Sequence, residues 1–145
     1  MTRLWPFCLL LGIALAGCFP RNIDPPLYAY RAPELAIYAA RAHAHGIGGR
    51  LMYVANTGSM EPLLRGGDII VVEPYDYKLL RVGQVIVYVA DWQPIGAPPV
   101  THRIVYKDKL GLVMSGDHNE HSEPGYRVTA TNYIGLVAGI YRVSQ

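Results

Sequence analysis

From Arg50 to Val143 the chain is cut into short β-branched or aromatic runs, and this punctuation limits its fold more than any other feature. The runs are LMYVAN, DIIVVEP, QVIVYVA, VTHRIVYK, LGLVMSG and YIGLVAGIYRV, separated by glycine, proline, asparagine or aspartate. Branched and aromatic side chains suit a pleated, half-buried surface better than a helical turn. Six such runs in a row predict a mainly β fold, a small antiparallel coiled sheet or partial barrel, and not alternating β and α units. LLRVGQ reads as a turn between two strands. DWQPIGAPP, residues 91 to 99, reads as a loop, because its prolines cannot join a central hydrogen-bonded ladder.

One helix is expected ahead of the strands. PELAIYAARAHAHG places Pro33 in the first turn and Gly46 at the end, as a short helix prefers. His43 and His45 fall in its last turn, where partial positive charge is favourable. Together with His118 and His121 they form no spacing diagnostic of a metal, and no metal or cofactor is expected. RNIDPPLYAYRAPEL, with Pro25, Pro26 and Pro33, reads as a semi-rigid tether.

A chain of 145 residues has room for one domain. Its net charge of +2 comes from scattered basic residues that make no stripe, so no nucleic-acid partner is expected. Both cysteines, Cys8 and Cys18, lie in the leader and cannot staple the strands. That leader, MTRLWPFCLLLGIALAGCFP, has Arg3 and then an apolar run from Leu4 to Phe19. As a helix this run would span about 24 Å, short of the ~30 Å hydrocarbon core of a bilayer. A positive start, a short apolar middle and small residues at the end mark an export signal.

Leu15-Ala16-Gly17-Cys18 resembles the lipobox of bacterial lipoproteins. The resemblance implies cleavage before Cys18 and a lipid on its thiol. Acyl chains contribute about 0.8 kcal/mol per buried methylene, enough for several chains to hold a small domain at a bilayer. The expected layout is therefore a signal peptide at 1–17, a tether and short helix at 18–48, and the main domain at 49–145. Its expected setting is the outer side of a bacterial membrane.

TGSMEP, at residues 57 to 62, sets a small hydroxyl on a tight turn between two strand-like runs. A serine in a turn ordinarily bonds its own backbone. Four pieces in order change that reading. TGSMEP, RGGDIIVV, VTHRIV and SGDHNEHSE resemble the nucleophile, strand, general-base and Gly-Asp boxes of signal peptidase I, serine family S26, across residues 53 to 140. The base box holds His102, as in the histidine-type enzymes, while Lys107 and Lys109 lie too far along. An imidazole near ~6.5 is already poised at neutral pH, whereas a lysine base must fall from about 10.4 to ~7–8, which takes roughly 4 kcal/mol.

The resemblance implies the following roles. Ser59 attacks the scissile carbonyl, and His102 takes its proton and returns it to the leaving amine. Asp117 matches the Gly-Asp aspartate, which orients the histidine or holds the hydrogen bonds of the site. Glu123 stands where these enzymes usually have a second aspartate, so the third member of a triad is open between Asp117 and Glu123. The Ser59 N–H and the Thr57 hydroxyl form the oxyanion hole. Met60 suits the floor of a substrate pocket, while Asp68 reads as a turn residue. Expected partners are exported precursor proteins or signal peptides with small residues before the cut, and a lipid bilayer surface that Trp92 would touch. Two other readings stand beside this one. A self-cleaving LexA-like peptidase would need a lysine base, and a non-catalytic lipoprotein module would keep the fold without turnover.

Overall fold

The computed structural model describes residues 22–120, 122 and 125–144. Strand β1 (Leu27–Tyr30) is followed by helix α1 (Pro33–Gly46), β2 (Arg50–Tyr53) and β3 (Ile69–Glu73). A short 3₁₀ turn (Tyr77–Leu79) precedes β4 (Val85–Tyr88), β5 (Val100–Asp108), β6 (Gly111–Ser115) and β7 (Tyr133–Val143). These strands form one seven-stranded sheet in the order β2-β3-β7-β4-β5-β6, with β1 added to β7. Every pairing is antiparallel except β1 with β7. The chain is mainly β with one helix, as its punctuated runs predict, and the strand path ends on β2 and β6 without closing into a barrel.

The sheet has two buried faces at its centre, which is why β3 and β4 are continuous apolar runs instead of alternating ones. Ile69 and Val71 of β3 face helix α1 and pack with Ala40, Ala44 and Tyr141. Ile70 and Val72 point the other way, into a cluster with Met60, Leu64, Val85, Val87 and Ile140. Ile86 and Tyr88 of β4 enter a third cluster with Ile104, Leu112, Met114 and Leu136. Helix α1 presents Ala36, Ala40 and Ala44 to the sheet, small residues at helical spacing that let the two backbones approach. His43 in its last turn bonds the Tyr141 hydroxyl at 2.8 Å, so this histidine is occupied in the packing of the helix.

The segment read as a tether contributes a strand. Leu27–Tyr30 pairs in parallel with Ile140–Val143. Tyr28 and Tyr30 stack on Tyr141, with ring centroids 5.0 and 6.1 Å away. Pro25 and Pro26 stop before the strand begins and Pro33 follows it, so none interrupts the ladder. Cys8, Cys18 and the lipobox lie outside the described residues.

Candidate active site

Strands β2 and β3 are joined by a long loop, closed at its base by Val54 N–H to Asp68 O and Gly67 N–H to Val54 O, both 2.9 Å. Two groups pin the loop to the sheet. The Arg142 guanidinium on β7 holds both Asp68 carboxylate oxygens, and its NH2 also donates to Leu63 O at 2.9 Å. Asp68 is 3% exposed, so the pair works in a nearly dry setting. Hydrogen bonding to Asp68, against burial, holds the Arg142 guanidinium above its ordinary pKa. Asp68 is thus the anchor of a turn, in line with its sequence reading.

Ser59 stands near the middle of this loop. Gly58 before it has φ +74°, a left-handed conformation that side chains resist, so glycine belongs there. After Ser59 the chain turns back, with Glu61 N–H to Gly58 O at 3.1 Å and Leu64 N–H to Met60 O at 2.9 Å. This turn buries Met60 and Leu64 in the core and leaves Ser59 half-buried at the surface.

The facing group comes from β5. His102 lies opposite Ile86 of β4 and is 6% exposed. Its Nε2 is 3.3 Å from Ser59 Oγ, although the two residues are 43 positions apart. Thr57 Oγ1 lies 3.3 Å from the same Ser59 Oγ. On the other side of the ring, Nδ1 is 3.2 Å from the Tyr88 hydroxyl. Tyr88 is fully buried and sits diagonally across from His102 on the same face of the β4–β5 pair.

Asp117 is placed differently from a histidine orienter. Arg103 Nε donates to Asp117 Oδ1 at 2.7 Å and Arg103 NH2 donates to Oδ2 at 2.6 Å, so both carboxylate oxygens serve the guanidinium. Of the two roles open to Asp117, holding the hydrogen bonds of the site is the one its contacts describe. The turn around it touches Ser59 directly. His118 N–H donates to Ser59 O at 2.9 Å, and a Cβ on Gly116 would stand 2.5 Å from that same oxygen. Only a glycine permits this approach. Glu123, the other residue proposed for the triad, lies outside the described residues.

Beside Ser59 and His102 runs a cleft of about 240 Å³. One wall is the edge strand β2 and its continuation, Met52 to Ala55; the other is the loop carrying Trp92, Gln93, Pro98 and Pro99. Met60, Leu64 and Ile70 form the floor, so the apolar lining is continuous with the core. Ser59, Thr57, Met60 and His102 therefore meet at one place. Sequence reasoning missed Tyr88, whose only local signal is an aromatic ring inside an apolar strand. It also missed Gln93, a polar residue in a proline-rich loop, whose Oε1 is buried without a hydrogen-bond partner among the described residues.

A hydroxyl, an imidazole within reach of it and an adjacent cleft make up the minimum for nucleophilic acyl transfer. No known family model matches the chain, and no curated protein matches it.

Proposed function

We propose that the chain is a membrane-attached serine endopeptidase of the signal peptidase I type, with Ser59 as nucleophile and His102 as general base. The observation that carries this reading is the 3.3 Å approach of His102 Nε2 to Ser59 Oγ at the mouth of the cleft. That separation is long for a hydrogen bond, as catalytic contacts often are before substrate binds.

In the proposed reaction an extended peptide lies in the cleft, and Ser59 Oγ attacks its carbonyl carbon while His102 Nε2 removes the hydroxyl proton. The carbonyl oxygen takes the negative charge, and the Ser59 N–H and the Thr57 hydroxyl stabilise it. His102 then gives the proton to the leaving amine, and the C–N bond breaks to leave an acyl-serine. Water attacks that ester with His102 again as base, which frees the carboxylate and restores Ser59. Asp117 and Arg103 hold the turn behind Ser59 in place.

Exported precursors with small residues before the cut are the proposed substrates, by resemblance of the four boxes. The apolar floor of Met60, Leu64 and Ile70 supports a preference for short uncharged side chains. A membrane setting is supported by the export-type leader and by exposed apolar groups on the cleft loop, with Trp92 at 61% and Ile95 fully exposed. No helix among the described residues is long and apolar enough to cross a membrane. In this proposal the attachment is the lipid on Cys18.

The test is cleavage of a precursor peptide after Ala-x-Ala. Wild-type protein should cut it, while Ser59→Ala and His102→Ala should each lose at least about a thousandfold in rate. Equal cutting by all three would overturn the mechanism.

A further inference from the structure

The residues just ahead of β1 are fastened to the back of the candidate site. Ile23 N–H donates to Gly83 O at 3.0 Å. That carbonyl also accepts from Arg103 NH1 at 2.7 Å. Arg103 NH2 donates to Asp24 Oδ1 at 2.8 Å, beside its paired bonds to Asp117. The Arg103 side chain is only 5% exposed, so a guanidinium next in sequence to His102 is shared between a carboxylate of the leader-proximal segment and one of the Asp117 turn. Burial opposes its charge, but Asp117 and then Asp24 outweigh that and raise its pKa.

Asp24 is held in this position from its other side as well. Pro25 is buried, and Pro26 O accepts the Ile140 N–H at 2.8 Å, directly before β1 begins its pairing with β7. Two consecutive prolines fix φ near −65° and leave little freedom between Asp24 and that strand. On the far side of Arg103, the Asp117 turn donates the His118 N–H to Ser59 O at 2.9 Å. A line of short contacts therefore runs from Asp24 through Arg103 and Asp117 to the carbonyl of the residue facing His102.

We propose that Asp24 is a positioning residue that, by completing the Arg103–Asp117 clamp, holds the 116–119 turn and with it Ser59 in register with His102. Its catalytic consequence rests on the proteolytic reading; its structural consequence does not. Asp24 does not line the cleft and is half-exposed at 54%, so its removal should leave the core intact and the turn looser. The segment that leads to the membrane anchor would thereby belong to the working site.

Two readouts on the full-length protein in detergent micelles test this. In the first, Asp24→Ala and the isosteric Asp24→Asn should lower kcat on the Ala-x-Ala peptide about three- to tenfold, with KM within about twofold of wild type. Asp24→Glu, which keeps the carboxylate, should recover most of the loss. In the second, the His118 amide should exchange with solvent severalfold faster in Asp24→Asn, while the β3 and β7 core amides keep wild-type protection. Unchanged His118 exchange, or a change in KM alone, would overturn the proposal. If wild-type protein cuts nothing, the proteolytic reading fails and the exchange experiment still decides whether Asp24 holds the turn.

Discussion

The Tyr88 hydroxyl lies 3.2 Å from His102 Nδ1, on the flank of the imidazole away from Ser59. For Nε2 to take a proton from Ser59 it must start unprotonated, so the ring proton must reside on Nδ1. In that tautomer the Tyr88 oxygen accepts and helps to hold the ring orientation. Tyr88 is itself fixed by burial and by stacking on Tyr126, with centroids 6.1 Å apart. Tyr88→Phe keeps the ring and deletes the hydroxyl alone. A net hydrogen bond of about 1 kcal/mol predicts a fall in kcat/KM of roughly fivefold and a melting temperature lower by a few degrees. Steady-state kinetics beside a melting curve would check both.

In the proposed mechanism His102 sets the acid side of the pH profile. Protonated His102 cannot accept from Ser59, so the rate should fall as pH drops through the imidazole range. The rise should be complete before the lysine range is reached. A rise confined to pH values above ~9 would exclude imidazole and point to a lysine.

The pair of Asp68 and Arg142 should matter for stability first. Asp68→Ala leaves the Arg142 charge without its carboxylate in a site where Asp68 was 3% exposed. Loss of one partner of a buried pair costs about 3 kcal/mol or more. Denaturant unfolding should show the midpoint falling at unchanged slope. A change below about 0.5 kcal/mol would mean that the loop bearing Ser59 is held by its other contacts.

Tyr133 predicts an alkaline effect. Its hydroxyl oxygen is buried without a hydrogen-bond partner among the described residues. Burial, with Glu73, Tyr75 and Asp76 adding to it, pushes the phenol well above its ordinary pKa. Above pH ~10 the unfolded chain loses this proton while the folded chain keeps it, so stability falls as pH rises. Tyr133→Phe should flatten that fall and be neutral or stabilising by up to ~1 kcal/mol near pH 7. Urea unfolding at pH 7 and pH 11 compares the two.

The cleft loop predicts a lipid contact separate from the proposed lipid on Cys18. In a Cys18→Ala background, Trp92→Ala and Ile95→Asp should each weaken binding to phosphatidylcholine–phosphatidylglycerol vesicles severalfold in a co-sedimentation assay. Trp92 also lines the cleft, so its loss should alter peptide cleavage too. Ile95 does not, and Ile95→Asp should leave cleavage of a soluble peptide unchanged. Wild-type vesicle binding by both variants would remove the lipid contact.

Much of the fold was legible in local pattern. The six apolar runs from Leu51 to Val143 became β2 to β7, and residues 33 to 46 became α1, because propensity and punctuation there agree with burial. The strand β1 was not legible. Its support is a parallel pairing with residues more than a hundred positions away and rings that stack on Tyr141, and neither leaves a local trace. Ser59 and His102 were singled out through motif order, although nothing local says that they meet. Arg103, the partner of Asp117, was hidden because a cation within the run VTHRIVYK reads as solvent-facing until the fold buries it. Tyr88 was hidden by its resemblance to packing.

The floor of the cleft, Met60, Leu64 and Ile70, is also the upper layer of the hydrophobic core, and each of the three is at most 3% exposed. Peptide binding in the proposed mode and folding would therefore draw on the same side chains. Widening the groove by trimming one of them would leave a void in the interior, at about 2–5 kcal/mol for a change to alanine. Enlarging one would strain the turn that carries Ser59. A change to the shape of the groove is better made at the Trp92 wall, since Trp92 is exposed and lies outside the core.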